Sequence, residues 1–319
     1  MQVNPVVGDL DGNVERIRRV LDEVDDCDLA VFGEMALTGY PLEDLVLKPG
    51  FVADSRAALE KVAGASGDCA LVVGFADGGE DAVYNAVAVC HDHNVPVLSR
   101  GGGTSLAGET CNVAVVLDWS KYCTRVLSVD AEAGVATVEP GIKLDELNDA
   151  LAESGWMVGP KPATHVSCTI GGMIGNNSAG VRSIRYGKTV DQILEASIVL
   201  PTGESLLLKN LNPAELEEKC SREDREGALY RGLRRIVDDN SEEITQRFPR
   251  VMRRVGGYNL DYLVGENGFN LAKLLVGSEG TLAFVTEAKL NLEAIPRYTA
   301  VSVIHFNDLI RAIDAVPVI

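Results

Sequence analysis

A loop of three consecutive glycines constrains the fold of this chain more than any other feature. Residues 100–108 read R-G-G-G-T-S-L-A-G and follow the short apolar run at 95–98. Because glycine lacks a Cβ atom, such a loop can adopt positive φ angles and turn its N–H groups inward as a nest for an anion. Thr104 and Ser105 add hydroxyl donors, and Arg100 adds a positive charge. The loop is therefore predicted to bind a pyrophosphate; the alternative is a flexible surface turn.

The composition limits the partners of this chain. Its 319 residues are enough for about two domains, and 46% apolar with 24% charged residues is typical of globular proteins. The net charge of -18 argues against nucleic acid or an anionic membrane as a partner, because both are polyanions. No apolar run is long enough to span a bilayer, and the N-terminus lacks a signal-peptide pattern. We therefore expect a cytoplasmic protein without a transmembrane segment.

The cysteines do not form a metal-binding pattern. Their count is odd and no C-x-x-C pair occurs, which argues against a zinc or iron–sulfur site within this chain. We expect reduced thiols and no bound metal. The seven cysteines are Cys27, Cys69, Cys90, Cys111, Cys123, Cys168 and Cys220.

The first part of the chain alternates predicted helices and buried strands, which indicates a layered α/β unit. The helices are predicted at 11–24, with Asp11 as N-cap, and at 51–64; the strands are predicted at 29–32 and 70–75. Glu34 follows the first strand, where a solvated loop glutamate is the alternative to a functional role.

Two strings in this part carry a family resemblance. Q-V-N-P-V-V-G-D-L-D-G-N at 2–13 and F-G-E-M-A-L-T-G-Y-P-L-E-D-L at 32–45 resemble the start of the nitrilase-type glutamine amidase domain of NAD synthetase. The resemblance implies that Glu34 is the general base, with a lysine and a nucleophilic cysteine as partners. No later segment matches these partners, and Gly33 replaces the family's proline. Residues 1–88 are therefore predicted to be a partial nitrilase-like αββα segment.

Regular elements are also predicted after the glycine loop. We expect hairpins at 126–138 and 191–208, a helix over 144–154 that ends at Gly155, and charged helices within 213–247.

Three further clusters of small and polar residues follow. Residues 163–180, A-T-H-V-S-C-T-I-G-G-M-I-G-N-N-S-A-G, allow the backbone to approach a flat ring, and Thr169 can cap a short helix there. Residues 253–261 are R-R-V-G-G-Y-N-L-D, and residues 276–282 are V-G-S-E-G-T-L. Each cluster alone is also typical of a turn or a solvated loop.

Together with the glycine loop, and in this order, the clusters resemble the FAD-linked oxidase family, especially its D-lactate dehydrogenase and glycolate oxidase FAD-subunit branch. That family shares the two-subdomain flavin-binding fold of vanillyl-alcohol oxidase and para-cresol methylhydroxylase (PCMH). The resemblance implies a mixed α/β and α+β chain. A PCMH-type FAD-binding domain would occupy 90–295, and a substrate cap domain would begin at 296–319. A Rossmann fold is not expected, because no G-x-G-x-x-G follows a strand.

The resemblance also implies a set of site residues. Arg100, Gly101, Gly102, Gly103, Thr104, Ser105 and Gly108 would hold the FAD pyrophosphate. The flavin would be lined by Pro162, Ala163, Thr164, Thr169, Gly171, Gly172, Asn176, Ser178, Ala179 and Gly180, with Glu279 and Gly280 in a later segment. Arg253 or Arg254 would bind a substrate carboxylate, because a guanidinium suits it geometrically. We interpret His165 as a packing or hydrogen-bonding residue.

The implied activity is FAD-dependent oxidation of a D-2-hydroxy acid of the D-lactate or glycolate type, with an electron acceptor or iron–sulfur domain as partner. The cap is predicted to begin with a strand at 300–306 and a helix at 309–315, and the junction between the two segments is predicted between Tyr84 and Cys90. Since the cap is incomplete, we expect FAD binding that is weak or absent, and poor turnover. The alternatives are a glutamine amidase that uses Glu34, or a chimera with neither activity.

Overall fold

The structure, a computed structural model, describes residues 3–24, 29–32, 36–39, 49–65, 70–73, 96–106, 108–110, 114–265 and 268–316. The helices are α1 (Leu10–Asp22), α2 (Pro49–Ala63), α3 (Leu144–Leu151), α4 (Ile170–Asn176), α5 (Ser183–Tyr186), α6 (Thr189–Gln192), α7 (Pro213–Ser221), α8 (Arg225–Asp239), α9 (Ser241–Arg247), α10 (Leu271–Leu275) and α11 (Leu309–Ala315). Among the described residues, 3₁₀ turns lie at Ala152–Ser154 and Leu260–Leu263.

The strands form one five-stranded sheet and several two-stranded pairs. They are β1 (Leu29–Val31), β2 (Ala70–Val72), β3 (Val97–Arg100), β4 (Val115–Asp118), β5 (Val126–Asp130), β6 (Val135–Val138), β7 (Trp156–Met157), β8 (Ile193–Val199), β9 (Ser205–Leu208), β10 (Asn210–Leu211), β11 (Phe269–Asn270), β12 (Phe284–Asn291) and β13 (Glu293–Ala294). The described helices include none with the length and apolarity needed to cross a bilayer.

The large sheet is antiparallel, with strand order β5-β6-β12-β8-β9. Both predicted hairpins, β5–β6 and β8–β9, are confirmed. The central strand β12 pairs Ala288 with Val138 on one side and with Ala196 on the other. All three side chains are buried, because residues that pair across neighbouring strands point to the same face of the sheet. They belong to the same hydrophobic core as the buried residues of α3, α4 and α10.

Helix α3 illustrates how the sequence pattern produces this core. Leu144, Leu147 and Leu151 are fully buried, because their spacing places them on one face of the helix. The predicted end of the helix is confirmed: α3 tightens into a 3₁₀ turn, and Gly155 follows with a φ of +78°. A left-handed residue at this position favours glycine. Helix α3 thus ends where its apolar face ends.

The parallel pair β3–β4 carries the glycine loop. Val97 pairs with Val115 and Arg100 with Asp118, and the N–H of Trp119 donates to the Arg100 carbonyl at 3.0 Å. Trp119 is buried with Val199 of β8 and Phe284 of β12. This contact joins the parallel pair to the antiparallel sheet and thereby fixes where the glycine loop leaves β3.

The N-terminal part has its own core. Helix α1 packs against α2, β1 pairs in parallel with β2, and Val14, Ile17 and Val62 are buried. The prediction of Asp11 as the N-cap was wrong. The helix begins one residue earlier, and Asp9 accepts a hydrogen bond from the N–H of Gly12 at 3.1 Å. Asp11 instead forms an ion pair with Lys61.

Several sequence-based hypotheses about this part lie outside the described residues. They include the role of Glu34 and the junction between Tyr84 and Cys90.

The prediction of a strand at 300–306 was wrong. These residues have no ladder partner in the part of the chain that the structure describes, and Val301 and Val303 are largely exposed. Without a neighbouring strand, an apolar run of this kind cannot satisfy its backbone hydrogen bonds in a sheet. The predicted helix after it is confirmed as α11, and Asp308 caps its first turn by accepting from the N–H groups of Ile310 and Arg311.

Tyr230 of α8 offers a test of the core. Its ring is fully buried near Phe269, and its hydroxyl has no hydrogen-bond partner among the described residues. Burial raises the pKa of Tyr230 from 10.0 to about 12. The unfolded chain therefore ionises first, so the stability present below pH 10 is lost as the pH rises towards about 12.

We expect Tyr230→Phe to be at least as stable as the wild type at neutral pH, because the replacement removes an unpaired buried hydroxyl. It should also lack the part of the alkaline loss that Tyr230 contributes to the wild type, which is on the order of 2–3 kcal/mol. Urea unfolding across the alkaline range measures both effects. The exposed Tyr298→Phe is the control. An unchanged alkaline profile in Tyr230→Phe would contradict the role of this burial.

Candidate cofactor-binding site

The glycine loop forms one wall of a pocket, which we call the glycine-loop pocket. The start of α4 and the loop after α10 form its other walls. The structure thus brings together three of the four clusters that the sequence singled out. The predicted site residues that line the pocket are Arg100, Gly101, Gly102, Gly103, Thr104, Ser105, Thr169, Gly171, Gly172, Asn176, Glu279 and Gly280.

Close packing explains why the first loop residues are glycines. A Cβ atom on Gly101 would lie 2.2 Å from Oγ1 of Thr169, and one on Gly102 would lie 2.1 Å from the carbonyl oxygen of Ser167. Both distances are far shorter than any contact between unbonded heavy atoms. Gly103 has a φ of +66°, which disfavours other residue types. The glycine loop therefore lies directly on the segment that leads into α4.

The backbone donors of the loop are available to a ligand. The N–H groups of residues 101–105 have no acceptor within the described part of the chain, and these residues are at least partly exposed. Consecutive donors of this kind form a concave site for an anion. The position of a Cβ atom on Gly103 lies 3.0 Å from Nη2 of Arg100, so that guanidinium lies beside the loop.

The hydroxyl groups of Thr169 and Ser105 both have hydrogen-bond partners within the chain. Thr169 is fully buried, and its Oγ1 accepts from the N–H of Gly172 at 3.2 Å, which confirms the predicted cap of α4. Ser105 donates its hydroxyl to Oε2 of Glu109 at 2.6 Å. Its proton is therefore already bound to a carboxylate, although the residue lines the pocket. Gly108 has a φ of +94° and open space around it.

The loop after α10 is fastened to α4. The N–H of Gly277 donates to the Ile174 carbonyl at 2.8 Å, and the N–H of Glu279 donates to the Gly175 carbonyl at 3.0 Å. Glu279 and Gly280 have φ angles of +51° and +77°. A glutamate rarely adopts such a φ, so the surrounding contacts must hold it there.

The remaining predicted flavin-lining residues form a neighbouring cluster around Gly180. They are Pro162, Ala163, Thr164, Ser178, Ala179 and Gly180, and none is among the described residues that line the glycine-loop pocket. A Cβ atom on Gly180 would lie 1.7 Å from the Lys161 carbonyl oxygen, so the two short segments touch.

The two arginines proposed for a substrate carboxylate lie in different surroundings. Arg254 is nearly buried and binds both carboxylate oxygens of Asp261 at 2.6 Å, with its guanidinium 4.9 Å from the centroid of the Phe248 ring. Arg253 donates from Nη2 to the Gly180 carbonyl at 3.0 Å. Arg254 thus already has a carboxylate partner from its own chain, whereas Arg253 lies in the cluster around Gly180.

Other polar groups near the site have structural partners. His165 Nδ1 lies 2.7 Å from Oδ2 of Asp145, which agrees with its interpretation as a hydrogen-bonding residue. Burial raises the pKa of the Cys168 thiol, which makes it a poor nucleophile at neutral pH. Among the described residues, no three potential metal ligands lie together.

Several pocket residues were missed by the sequence reasoning. Trp119 lines the pocket, and its Nε1 donates to Oγ of Ser99 at 2.7 Å; Glu109 and Ser278 also line it. Trp119 follows β4 directly. Because β4 runs parallel to β3, its C-terminal end lies beside the glycine loop. The pairing of β3 with β4 would have identified Trp119 as a pocket residue, but the local sequence does not encode that pairing.

The comparisons with known proteins agree with this geometry. Residues 76–208 match the family model described as an FAD binding domain. The D-2-hydroxyglutarate dehydrogenase of Pseudomonas putida is 36% identical over 220 residues, which are 69% of this chain and 22% of the relative. The glycolate oxidase subunit GlcD of Bacillus subtilis is 29% identical over 68% of this chain and 36% of the relative.

Two further proteins are also similar to this chain. The mitochondrial D-lactate dehydrogenase [cytochrome] 1 of Saccharomyces cerevisiae is 31% identical over 71% of this chain and 30% of the relative. A solved alkyldihydroxyacetonephosphate synthase is 22% identical with a TM-score of 0.47, over 69% of this chain and 31% of that one.

The resemblance to the FAD-linked oxidase family is therefore confirmed, and FAD is the cofactor of the matched domain type. The chain spans between 22% and 36% of the length of the three curated relatives described above. No comparison supports the nitrilase-like resemblance of residues 1–88, which stays a prediction.

The packing of the glycine loop can be tested without a ligand. In Gly102→Ala, the added Cβ must displace either the loop or the Ser167 carbonyl, and we expect a loss of about 1–3 kcal/mol of unfolding free energy. Gly232→Ala is the matched control, because nothing lies within 4 Å of that position on α8, where alanine is the better helix former. Urea unfolding compares the two. Equal stability would contradict the close contact at Gly102.

Proposed function

We propose that this chain binds FAD in the glycine-loop pocket and forms the flavin domain of an FAD-dependent dehydrogenase for D-2-hydroxy acids. The observation that carries the proposal is the run of backbone donors at 101–105 that have no acceptor among the described residues, held against the capped start of α4. The names of the relatives support the substrate class, since they include D-2-hydroxyglutarate, glycolate and D-lactate enzymes.

The residues present fit the pyrophosphate of FAD. The N–H groups of 101–105 and the guanidinium of Arg100 offer donors and positive charge on one side of the pocket. Arg100 thus places a positive charge beside these donors in a chain whose net charge is -18, while Glu109 and Glu279 also line the pocket. The absence of Cβ atoms at Gly101 and Gly102 lets the loop lie directly against Thr169 and Ser167, beside the start of α4.

The chemistry divides between cofactor and protein. When bound, FAD supplies the acceptor for a hydride from the α-carbon of the hydroxy acid. The chain supplies binding and orientation. Arg253 is the better placed of the two arginines for a substrate carboxylate, because Asp261 already neutralises Arg254. Pro162, Ala163, Thr164, Ser178, Ala179 and Gly180 would then face the flavin from the cluster around Gly180.

The proposal extends to partners and location. Oxidation of a hydroxy acid needs a final acceptor for the two electrons removed, so we propose an electron acceptor, such as an iron–sulfur domain or subunit, as the partner. The compartment we propose is the cytoplasm. The domain limits of 1–88, 90–295 and 296–319 remain part of this proposal.

For residues 1–88 we propose a partial nitrilase-like unit without amidase activity. The parallel β1–β2 pair and the packing of α1 on α2 agree with a layered α/β unit. The chain lacks a segment that matches the lysine and cysteine partners of Glu34, so amide hydrolysis is not expected.

The first test is flavin binding. We expect the purified chain, refolded with excess FAD, to retain a flavin absorption spectrum and to quench flavin fluorescence on titration. Gly102→Ala should raise the Kd for FAD by about 10-fold or more, since about 1.4 kcal/mol of lost contact suffices for that change. Gly232→Ala should bind like the wild type. A wild-type chain that leaves FAD free would refute the proposal.

The second test concerns substrate class. In the absence of oxygen, we expect D-2-hydroxyglutarate or D-lactate to bleach the bound flavin, and the L-enantiomers to leave it oxidised. Arg253→Met should weaken substrate binding by about 10-fold or more, because it removes a charge-assisted contact. Flavin that stays oxidised with every hydroxy acid would favour the chimera. Ammonia release from glutamine that Glu34→Gln abolishes would favour the amidase.

A further inference from the structure

Two buried asparagines lie next to the peptide bond between Val276 and Gly277, just before the part of the loop that lines the glycine-loop pocket. Asn259 donates from Nδ2 to the carbonyl oxygens of Lys273 at 3.2 Å and Val276 at 2.6 Å. Asn177 also lies near this peptide, and its Cβ is 3.5 Å from the position of a Cβ atom on Gly277. Both asparagines have 0% exposure.

These side chains belong to a closed ring of hydrogen bonds. Asn177 Oδ1 accepts from the N–H of Val190 at 3.1 Å, and the Val190 carbonyl accepts from Nζ of Lys273 at 2.7 Å. The N–H of Gly277 returns to the Ile174 carbonyl of α4. The ring runs in order through Asn177, Val190, Lys273, Asn259, Val276, Gly277 and Ile174.

The loop needs support of this kind. Glu279 and Gly280 both have positive φ angles, and for a glutamate this conformation costs on the order of 1 kcal/mol. Ser278, Glu279 and Gly280 line the pocket directly after the Val276–Gly277 peptide. A strained segment keeps one conformation only when its surroundings hold it there.

The ring is not arranged for stability alone. Nδ2 of Asn177 and Oδ1 of Asn259 are buried without a hydrogen-bond partner among the described residues, and unpaired buried polar atoms are unfavourable. Their other bonds fix the orientation of both carboxamides, because Asn259 must donate and Asn177 must accept. The two side chains therefore support the loop, although each leaves one buried polar atom without a hydrogen-bond partner among the described residues.

We propose that Asn259 and Asn177 are positioning residues for the FAD site. Through the Val276–Gly277 peptide they hold residues 278–280 against α4, and so keep this wall of the pocket in the conformation that receives the cofactor. This inference rests on the proposed binding of FAD in the same pocket, and it assigns a role to residues that do not line it.

The test replaces one donor by an acceptor. Asn259→Asp keeps the size of the side chain, but it turns a carboxylate oxygen towards the carbonyls of Lys273 and Val276. We expect the Kd for FAD to rise by about 10-fold or more. Because protonation gives a carboxyl group one donor, the Kd should fall towards the wild-type value as the pH is lowered.

The matched control is Asn270→Asp. Asn270 is also buried, and it also donates from Nδ2 to a backbone carbonyl, that of Leu194 at 3.0 Å. Its Oδ1 accepts from the N–H of Ala272, and a carboxylate retains that bond. Asn270 lies outside both the ring and the pocket. We expect its variant to bind FAD within about 3-fold of the wild type.

Amide hydrogen exchange without FAD gives an independent readout. The N–H groups of Gly277 and Glu279 are bonded to α4, so Asn259→Asp should speed their exchange by about 10-fold or more and leave β12 protected. If the wild type binds no FAD, the proposed function fails. Unchanged amide exchange in Asn259→Asp would separately refute the claim that the hydrogen-bonded ring holds this loop. Asn259→Asp that binds FAD like the wild type would overturn the positioning role. The positioning role would also be refuted if the Kd for FAD of Asn270→Asp showed the same pH dependence as that of Asn259→Asp.

Discussion

The close contact between the glycine loop and the segment before α4 is the constraint on which the candidate site depends. The loop can lie against Thr169 and Ser167 only because Gly101 and Gly102 have no Cβ atom. Beside the capped helix start, the N–H groups of residues 101–105 have no acceptor in the part of the chain that the structure describes. The charge of Arg100 then makes the same surface favourable for an anion in an otherwise acidic chain.

The rest of the domain keeps this contact in place. The buried side chain of Trp119 ties the β3–β4 pair to the antiparallel sheet, and the core beneath α4 is continuous with that sheet. On the far wall, a hydrogen-bonded ring that includes Asn177 and Asn259 holds a loop with two positive φ angles. Two structural units of different kinds, a parallel pair and an antiparallel sheet, thereby share one pocket.

The sequence reasoning succeeded where short-range physics decides the outcome. The hairpins β5–β6 and β8–β9 and the helix α3 follow from local alternation and periodicity, and all were confirmed. It failed where a partner was needed. Residues 300–306 have the composition of a strand, but no described strand lies beside them. Asp11 is a good capping residue, but Asp9 holds the helix start, and Lys61 of α2 binds Asp11.

The sequence by itself indicated the resemblance to FAD-linked oxidases and the chemistry of the loop, because the residue types of the motifs fix which backbone angles and donors are available. Only the tertiary structure decided which predicted residues meet. It separated the Gly180 cluster from the glycine-loop pocket and gave Arg254 a carboxylate partner, while adding Trp119 and Glu109 to the pocket. The physical reason is that strand pairing and side-chain contacts join positions far apart in the chain, which local propensity does not encode.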